Sequence, residues 1–218
     1  MNVDVMEVVE RTVRVAGVAT AVVIVPSTLL GYALARHDFP GKRLLSTMTT
    51  LPMVLPPTAV GCLLLPMLAS DGLLGRRILG VDLKLLLTWK AAVVAAAVMS
   101  IPLVVRTARV AFEGVDPRLE WMARTLGYSR SAVFFRFSIP MARRGLLAAV
   151  ILGFTRALGE FGATVTIAGN IPGRTQTLSS AIFQAQQDGD AVAGYTLMAI
   201  AATLVYSSLC VLTPSRIR

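Results

Sequence analysis

Five long apolar segments, separated by charged loops, constrain this chain more than any other feature. They cover residues 15–35, 44–70, 85–105, 145–168 and 191–212. A helix of about 20 apolar residues crosses roughly 30 Å of hydrocarbon while satisfying its own backbone hydrogen bonds. With 55% hydrophobic and 15% charged residues over 218 positions, the chain is predicted to be a single all-α integral membrane domain of about five transmembrane helices. It has no room for a separate soluble domain.

The formal charge of +9 would suggest a nucleic-acid partner for a soluble protein. Here the basic residues lie between apolar runs, where they set membrane topology, so no nucleic acid is expected. If the polar segment 113–140 is cytoplasmic, the inside segments hold thirteen Lys and Arg residues and the outside segments hold seven. This imbalance predicts an N-terminus outside and a cytoplasmic C-terminus. Acidic residues precede the first base, which is the wrong polarity for a signal peptide, so the first apolar run is expected to remain a membrane helix.

The second apolar run is unusually rich in proline. Pro52, Pro56, Pro57 and Pro66 remove backbone donors and bend or break a helix. Such a break survives in lipid only where neighbouring helices or a water-filled path satisfy the freed carbonyls. The run therefore predicts an irregular span, which either lines a translocation pathway or is a proline kink without transport meaning.

The fourth apolar run carries two charges, Arg156 and Glu160, near its middle. A charge there costs roughly 2.5 to 3.5 kcal/mol on insertion scales. At a spacing of i and i+4 the two side chains are predicted to share a helix face and to pair. The pair is either a structural ion pair that fixes helix register or part of the conduit, where Arg156 offers positive potential to an anion.

Residues 113–140 form the long polar interruption. Asp116 is predicted to cap a helix that begins at Pro117, and Gly127 ends it. Ser129 is predicted to cap a second short helix, which Pro140 stops because its ring cannot continue the hydrogen-bond ladder. In the first helix Leu119, Met122, Ala123 and Leu126 share one apolar face, and Arg118, Glu120 and Arg124 lie on the others.

This segment resembles the cytoplasmic EAA coupling loop of ABC-importer permeases. Ala123, Gly127, Phe137, Ile139 and Pro140 fall at the spacings of that motif. Trp121 and Met122 stand where the family usually has Glu and a small residue, and Glu120 is one place early. The resemblance implies the type I importer fold, with coupling helices between the third and fourth spans that contact a cytoplasmic ATPase. The implied coupling residues are Arg118, Glu120, Ala123, Gly127 and Pro140.

Residues 156–178, with their GEFGA and NIPGRTQT runs, are similar to the molybdate permease subfamily, as is the LPMVLPP run of the second span. The resemblance implies a homodimer in a bacterial or archaeal inner membrane, served by two ATPase copies and by an external molybdate-binding protein. Residues 177–187 are predicted to form a short interfacial helix. The candidates for the translocation pathway are Pro56, Pro57, Arg156, Glu160 and Asn170.

No phosphate-binding GxxxxGK[ST] motif occurs in the sequence, and no catalytic triad or clustered Cys/His site is possible with one loop histidine. The chain is therefore predicted not to be an enzyme and to bind no cofactor or metal, with ATP and Mg²⁺ held by the partner ATPase. Molybdate is the predicted substrate, with tungstate or sulfate as alternatives. Two other classes remain open, an ion-coupled secondary transporter and a non-transporting membrane scaffold.

Overall fold

The computed structural model describes residues 4–69 and 85–210, and within these ranges every regular element is a helix. The predicted loop at 71–84, the last two residues of the predicted fifth span, and the basic residues Arg216 and Arg218 lie outside the described residues. The elements are α1 (Val5–Arg36), α2 (Lys42–Val54), α3 (Pro57–Leu68), α4 (Trp89–Glu113), α5 (Pro117–Thr125), α6 (Arg130–Val133), a π-helical turn (Phe134–Ser138), α7 (Ile139–Leu158), α8 (Gly162–Ala168), α9 (Leu178–Gln187) and α10 (Ala191–Cys210).

In the described part of the chain, four helices are long and apolar enough to cross a membrane. They are α1, α4, the continuous helix Arg130–Leu158 and α10. The pair α2–α3 makes a fifth if it is counted as one bent span. The number of spans therefore matches the sequence pattern, although α1 extends about ten residues before the first apolar run.

The proline-rich second run is sharply bent, as its sequence predicts. Helix α2 ends at Val54, α3 begins at Pro57, and their axes differ by 112°. Pro56 and Pro57 stand at the bend, where a proline at the first helical position costs no hydrogen bond. The bend turns α3 onto α8, its main neighbour.

Helix α4 lies at the centre of the bundle and packs against α1, α7 and α8. Its buried face is largely alanine, including Ala91, Ala92, Ala95 and Ala96. Small residues let membrane helices approach closely, so that van der Waals contact replaces the hydrophobic effect as the driving force. At Gly153 of α7 a Cβ atom would lie 2.6 Å from Cγ2 of Val104, which leaves no space for a side chain.

The prediction that Pro140 stops the second short helix is wrong. The chain is continuously helical from Arg130 to Leu158, through the π-helical turn and Pro140. In that turn the Ile139 amide bonds to the Phe134 carbonyl, five residues back. The wider turn accommodates the proline ring, which would strike the carbonyl four residues back in a regular α-helix.

The fourth span is also not one helix, so Arg156 and Glu160 do not share a helix face as predicted. Helix α7 ends at Leu158, and α8 begins at Gly162. Glu160 lies in the short break between them. Gly159 and Gly162 flank this break, and they are the sequence signal for it.

Candidate functional site

The polar segment 113–140 folds locally as its capping residues predict. The Asp116 carboxylate accepts a hydrogen bond from the Arg118 amide at 2.9 Å, and the Ser129 hydroxyl accepts one from the Ala132 amide at 3.2 Å. Gly127 joins the two short helices with φ of +90°. A residue with a Cβ atom rarely adopts this left-handed conformation, which explains glycine at this position.

The orientation of α5 differs from the one that its apolar face suggests. The buried residues of the helix are Glu120 and Ala123, whereas Trp121, Met122 and Leu126 are between 61% and 78% exposed. A shallow apolar groove runs along the exposed face between Pro117, Arg118, Trp121, Met122 and Thr125. Exposed aromatic and aliphatic side chains that are contiguous on one helix mark an interaction surface rather than a solvated one.

Glu120 lies in a buried polar network between α1, α5 and the π-helical turn. Its Oε1 atom accepts hydrogen bonds from Nε of Arg36 at 3.1 Å and from the Ser138 hydroxyl at 2.9 Å. Arg36 also donates from Nη2 to the Val115 carbonyl at 2.8 Å, and the Tyr32 hydroxyl lies 3.5 Å from Oε2 of Glu120. Of the predicted coupling residues, Arg118 and Gly127 are exposed, while Glu120 and Ala123 face the bundle.

The structure brings four of the five pathway candidates into one region. Pro56 and Pro57 begin α3, and Gly162 begins α8 directly against them, where an added Cβ atom would lie 2.9 Å from Cβ of Pro57. Arg156 and Glu160 stand just before Gly162. The two broken spans therefore meet at their breaks, and the glycine is required by this close approach.

Arg156 and Glu160 form an ion pair despite the helix break. Nη1 of Arg156 lies 2.7 Å from Oε2 of Glu160, and Oε1 accepts a hydrogen bond from the Ala163 amide at 2.9 Å. The Glu160 side chain is 2% exposed and that of Arg156 is 31% exposed. Both oxygens of the carboxylate are thus hydrogen-bonded, while the Arg156 side chain remains partly exposed.

Asn170, the fifth candidate, lies apart from the pair, beyond the C-terminus of α8. Its Nδ2 atom donates to Oε1 of Gln184 at 3.3 Å, and its buried Oδ1 atom has no hydrogen-bond partner among the described residues. The following turn is held by Thr175, whose hydroxyl accepts from the Ile171 amide at 3.0 Å. Asn170 therefore belongs to the loop 169–177 rather than to the helix break.

Sequence reasoning missed three residues of the Glu120 network. In the sequence Arg36 is only one of the thirteen inside bases, and Tyr32 and Ser138 belong to no recognisable motif. The contact between Arg36 and Glu120 joins residues 84 positions apart, which no local spacing reveals. The single available signal was Glu120 itself, because it is the one acidic residue within α5.

The model of the family described as "Binding-protein-dependent transport system inner membrane component" matches residues 27–215. The molybdenum transport system permease protein ModB of Escherichia coli K12 is 48% identical over 153 residues, which is 70% of this chain and 67% of that protein. The sulfate transport system permease protein CysT of Salmonella typhimurium is 37% identical over 211 residues, 97% of this chain and 75% of that one.

Among solved structures, the fold is similar to a chain of the MetNI methionine ABC transporter in an inward-facing conformation. The TM-score is 0.74, and the match covers 95% of this chain and 92% of that chain at 18% sequence identity. At this identity the likeness establishes the fold alone. The described helices thus have the arrangement of a type I ABC importer permease.

Proposed function

This chain belongs to the family of binding-protein-dependent transport system inner membrane components and is a permease subunit of an ABC importer. From that premise we propose that its substrate is molybdate and that it also accepts tungstate, which is a similar tetrahedral oxyanion. The observation that carries the proposal is the order of the identities. Four molybdenum permeases are 43% to 48% identical over 70% to 81% of the chain, which is above the two sulfate permeases at 37% and 39%, while two further molybdenum permeases are 36% and 37% identical. Membership in this family also removes the reasons for a secondary transporter or a non-transporting scaffold.

The exposed face of α5 is the proposed docking surface for a separate cytoplasmic ATPase. Trp121, Met122 and Leu126 supply an apolar centre, and Arg118 and Arg124 supply charged neighbours. Interfaces are typically built from such exposed aromatic and methionine side chains with arginine nearby. The chain itself is expected to bind no nucleotide, because its sequence contains no GxxxxGK[ST] phosphate-binding motif, and no metal or other cofactor, because its sequence contains no clustered Cys/His site.

The functional unit proposed here is a homodimer with two ATPase copies and an external molybdate-binding protein. The end of the bundle with Arg36 and α5 is placed in the cytoplasm, which puts the N-terminus of α1 outside and agrees with the excess of inside bases. The chain is accordingly assigned to the inner membrane.

The crossing of α3 with α8 is the proposed wall of the translocation pathway. Two broken spans meet there, and backbone groups freed at such breaks in a membrane are tolerated where they border a cavity or a protein neighbour. Arg156 contributes the positive potential, because its guanidinium is partly exposed while Glu160 is enclosed. A tetrahedral dianion is bound well by guanidinium donors.

The test is uptake of labelled molybdate into vesicles that contain the chain, its ATPase and the binding protein. We expect ATP-dependent uptake that excess unlabelled tungstate competes with and excess sulfate does not. Vesicles with the chain alone should show no ATP-dependent uptake, because the chain hydrolyses no ATP.

Sulfate is the second candidate, since the sulfate permease match covers 97% of this chain. Efficient competition by sulfate in the same assay would replace molybdate with sulfate as the assignment. ATP-dependent uptake by the chain alone would contradict the role as a subunit that depends on a partner ATPase.

A further inference from the structure

Helix α1 joins two polar contacts at opposite ends of the bundle. At one end Arg36 bonds to Glu120 of the coupling helix α5. At the other, the Thr12 hydroxyl accepts a hydrogen bond of 2.8 Å from the amide of Leu178, the first residue of α9. Arg36 and Thr12 lie on the same helix, about 36 Å apart at roughly 1.5 Å per residue.

The Thr12 contact attaches α1 to the loop that follows α8. Thr12 is 3% exposed, and its hydroxyl also donates to the Val8 carbonyl at 2.7 Å. The Leu178 amide is one of the first N–H groups of α9, which no carbonyl of its own helix can reach. Arg11 adds a long contact of 3.5 Å from Nη1 to the Gln176 carbonyl. The end of the loop 169–177 is therefore bonded to α1 by side chains of two adjacent residues.

The Arg36 contact attaches α1 to the coupling helix just as specifically. Both side chains of the ion pair are 10% exposed, and Ser138 adds a third segment, the π-helical turn, to the same carboxylate. Buried, charge-assisted hydrogen bonds of this kind fix relative position more than they add stability. Displacement of α5 must therefore either move Arg36 or break the pair.

The helix between these contacts is suited to carrying a displacement. It is helical over 32 residues and packs against α4 along its length, with Ala16 and Ala19 fully buried. At Gly31 an added Cβ atom would lie 2.9 Å from the Arg109 backbone nitrogen, so the two helices touch there through their backbones. Pro26 interrupts the hydrogen-bond ladder without ending the helix.

We infer that α1 transmits movement of the coupling helix to the loop 169–177, with Arg36 and Thr12 as the positioning residues at its two ends. The inference rests on the proposed function for the direction of the signal, from an ATPase at α5 toward the external side. The loop that receives it carries Asn170 and directly follows α8, whose first residues pack on the bend of the second span. A coupling between two sites is reciprocal, so a change at either end must be felt at the other.

Hydrogen exchange on the full chain in lipid nanodiscs tests this reciprocity without any partner. Glu120→Gln, which keeps the shape of the side chain, should speed amide exchange in residues 169–178 by about 5-fold or more. Thr12→Val should do the same in residues 117–126. Asp38→Asn and Thr20→Val are the matched controls, because among the described residues Asp38 pairs only with Lys42 nearby and the Thr20 hydroxyl bonds only to Ala16 of its own helix. If amide exchange becomes faster only at the substituted end of α1 in both variants, the inference is overturned.

Uptake in the full complex gives the second measurement. Each variant should raise the number of ATP molecules hydrolysed per molybdate imported by about 5-fold or more. The double variant should be no more defective than the more defective of the two single variants, because both substitutions interrupt the same connection. A double-variant defect equal to the product of the single defects would overturn the inference. If Glu120→Gln does not assemble, Ser138→Ala removes one bond of the same network at lower cost. Failure of wild-type uptake, with the exchange coupling intact, would count against the molybdate assignment alone.

Discussion

Two buried pairs of arginine and glutamate lie at different depths of this molecule and are built differently. Arg156 and Glu160 are four residues apart, and the pair bridges a helix break inside the fourth span. Arg36 and Glu120 are 84 residues apart, and the pair joins three segments at one end of the bundle. The first pair is local and contains an almost completely enclosed carboxylate. The second is long-range, and a cleft of about 390 Å³ with a mixed polar and apolar lining lies beside it.

The comparison teaches that the same two residue types serve different purposes according to their surroundings. An enclosed carboxylate in a membrane needs its counter-charge, because no water can replace it. Near the end of the bundle, hydroxyl groups and the adjoining cleft provide alternatives to the guanidinium. The deep pair is therefore expected to be the more costly to break, and the pair at the bundle end to matter more for coupling.

The largest effect is expected at the deep pair. Arg156→Met leaves the Glu160 carboxylate without its counter-charge and should reduce stability by about 3 to 5 kcal/mol. Thermal denaturation of the purified chain in detergent measures this loss. Arg156→Met combined with Glu160→Gln should recover most of it, because the amide oxygen can still accept the Ala163 amide hydrogen.

The double variant also separates the two roles of the pair. If it assembles with the ATPase and still imports molybdate, the pair is structural and the pathway takes its positive potential from elsewhere. If it assembles and no longer imports, Arg156 belongs to the conduit. Normal stability and transport in the Arg156→Met single variant would refute the pairing itself.

A smaller loss is expected at the bundle end. Arg36→Met should reduce stability by about 2 kcal/mol, the range of a hydrogen bond to a charged group, since Ser138 and Tyr32 still donate to Glu120. The same denaturation assay places both pairs on one scale. A loss as large as that of Arg156→Met would show that the adjoining cleft does not solvate Glu120, and the distinction between the pairs would fail.

Much of the architecture was predictable from local chemistry. Apolar run length predicted the number of spans, and the prolines of the second run predicted that it is bent or broken, although not the 112° angle between α2 and α3. The caps at Asp116 and Ser129 and the turn at Gly127 follow from single residues and their neighbours. These features depend on interactions within a few positions, which sequence patterns represent directly.

The rest depends on contacts that no spacing encodes. The exposed apolar face of α5 and its buried Glu120 reverse the usual amphipathic pattern, because Arg36, from a distant helix, satisfies the acid. The path of the chain through Pro140 depends on a π-helical turn, and the break before Gly162 depends on packing against Pro57. Tertiary partners decide the burial of Glu120 and the contact of Gly162 with Pro57, whereas the π-helical turn is a local irregularity that the spacing of Pro140 does not reveal.

A moderate effect is expected at the joint between the two short helices. Gly127→Val forces a β-branched residue into a left-handed conformation, at about 1 to 2 kcal/mol, although no neighbouring atom lies within 4 Å of the added Cβ. The variant should assemble but hydrolyse ATP with reduced import, because α5 changes its angle to the helix that follows. Gly17→Val is the control, since its site is equally open but helical. Transport equal to the parent would reduce Gly127 to a spacer.

The smallest effect on stability, and a specific effect on binding, is expected on the exposed face of α5. Trp121 is 73% exposed and contributes little to the bundle, so Trp121→Ala should change the unfolding free energy by no more than about 0.5 kcal/mol. As a central aromatic group of the proposed docking surface it should weaken ATPase binding by about 2 kcal/mol, measured by titration of the ATPase onto nanodiscs. Tyr195→Ala on α10, with 72% exposure, is the matched control and should leave binding unchanged. This result would complete the contrast within one helix. Glu120 points inward and fixes the position of α5 against α1, while its neighbour Trp121 points outward and contributes to the affinity for the ATPase. Loss of stability without loss of binding in Trp121→Ala would place the docking surface elsewhere and leave the apolar groove on α5 without a partner.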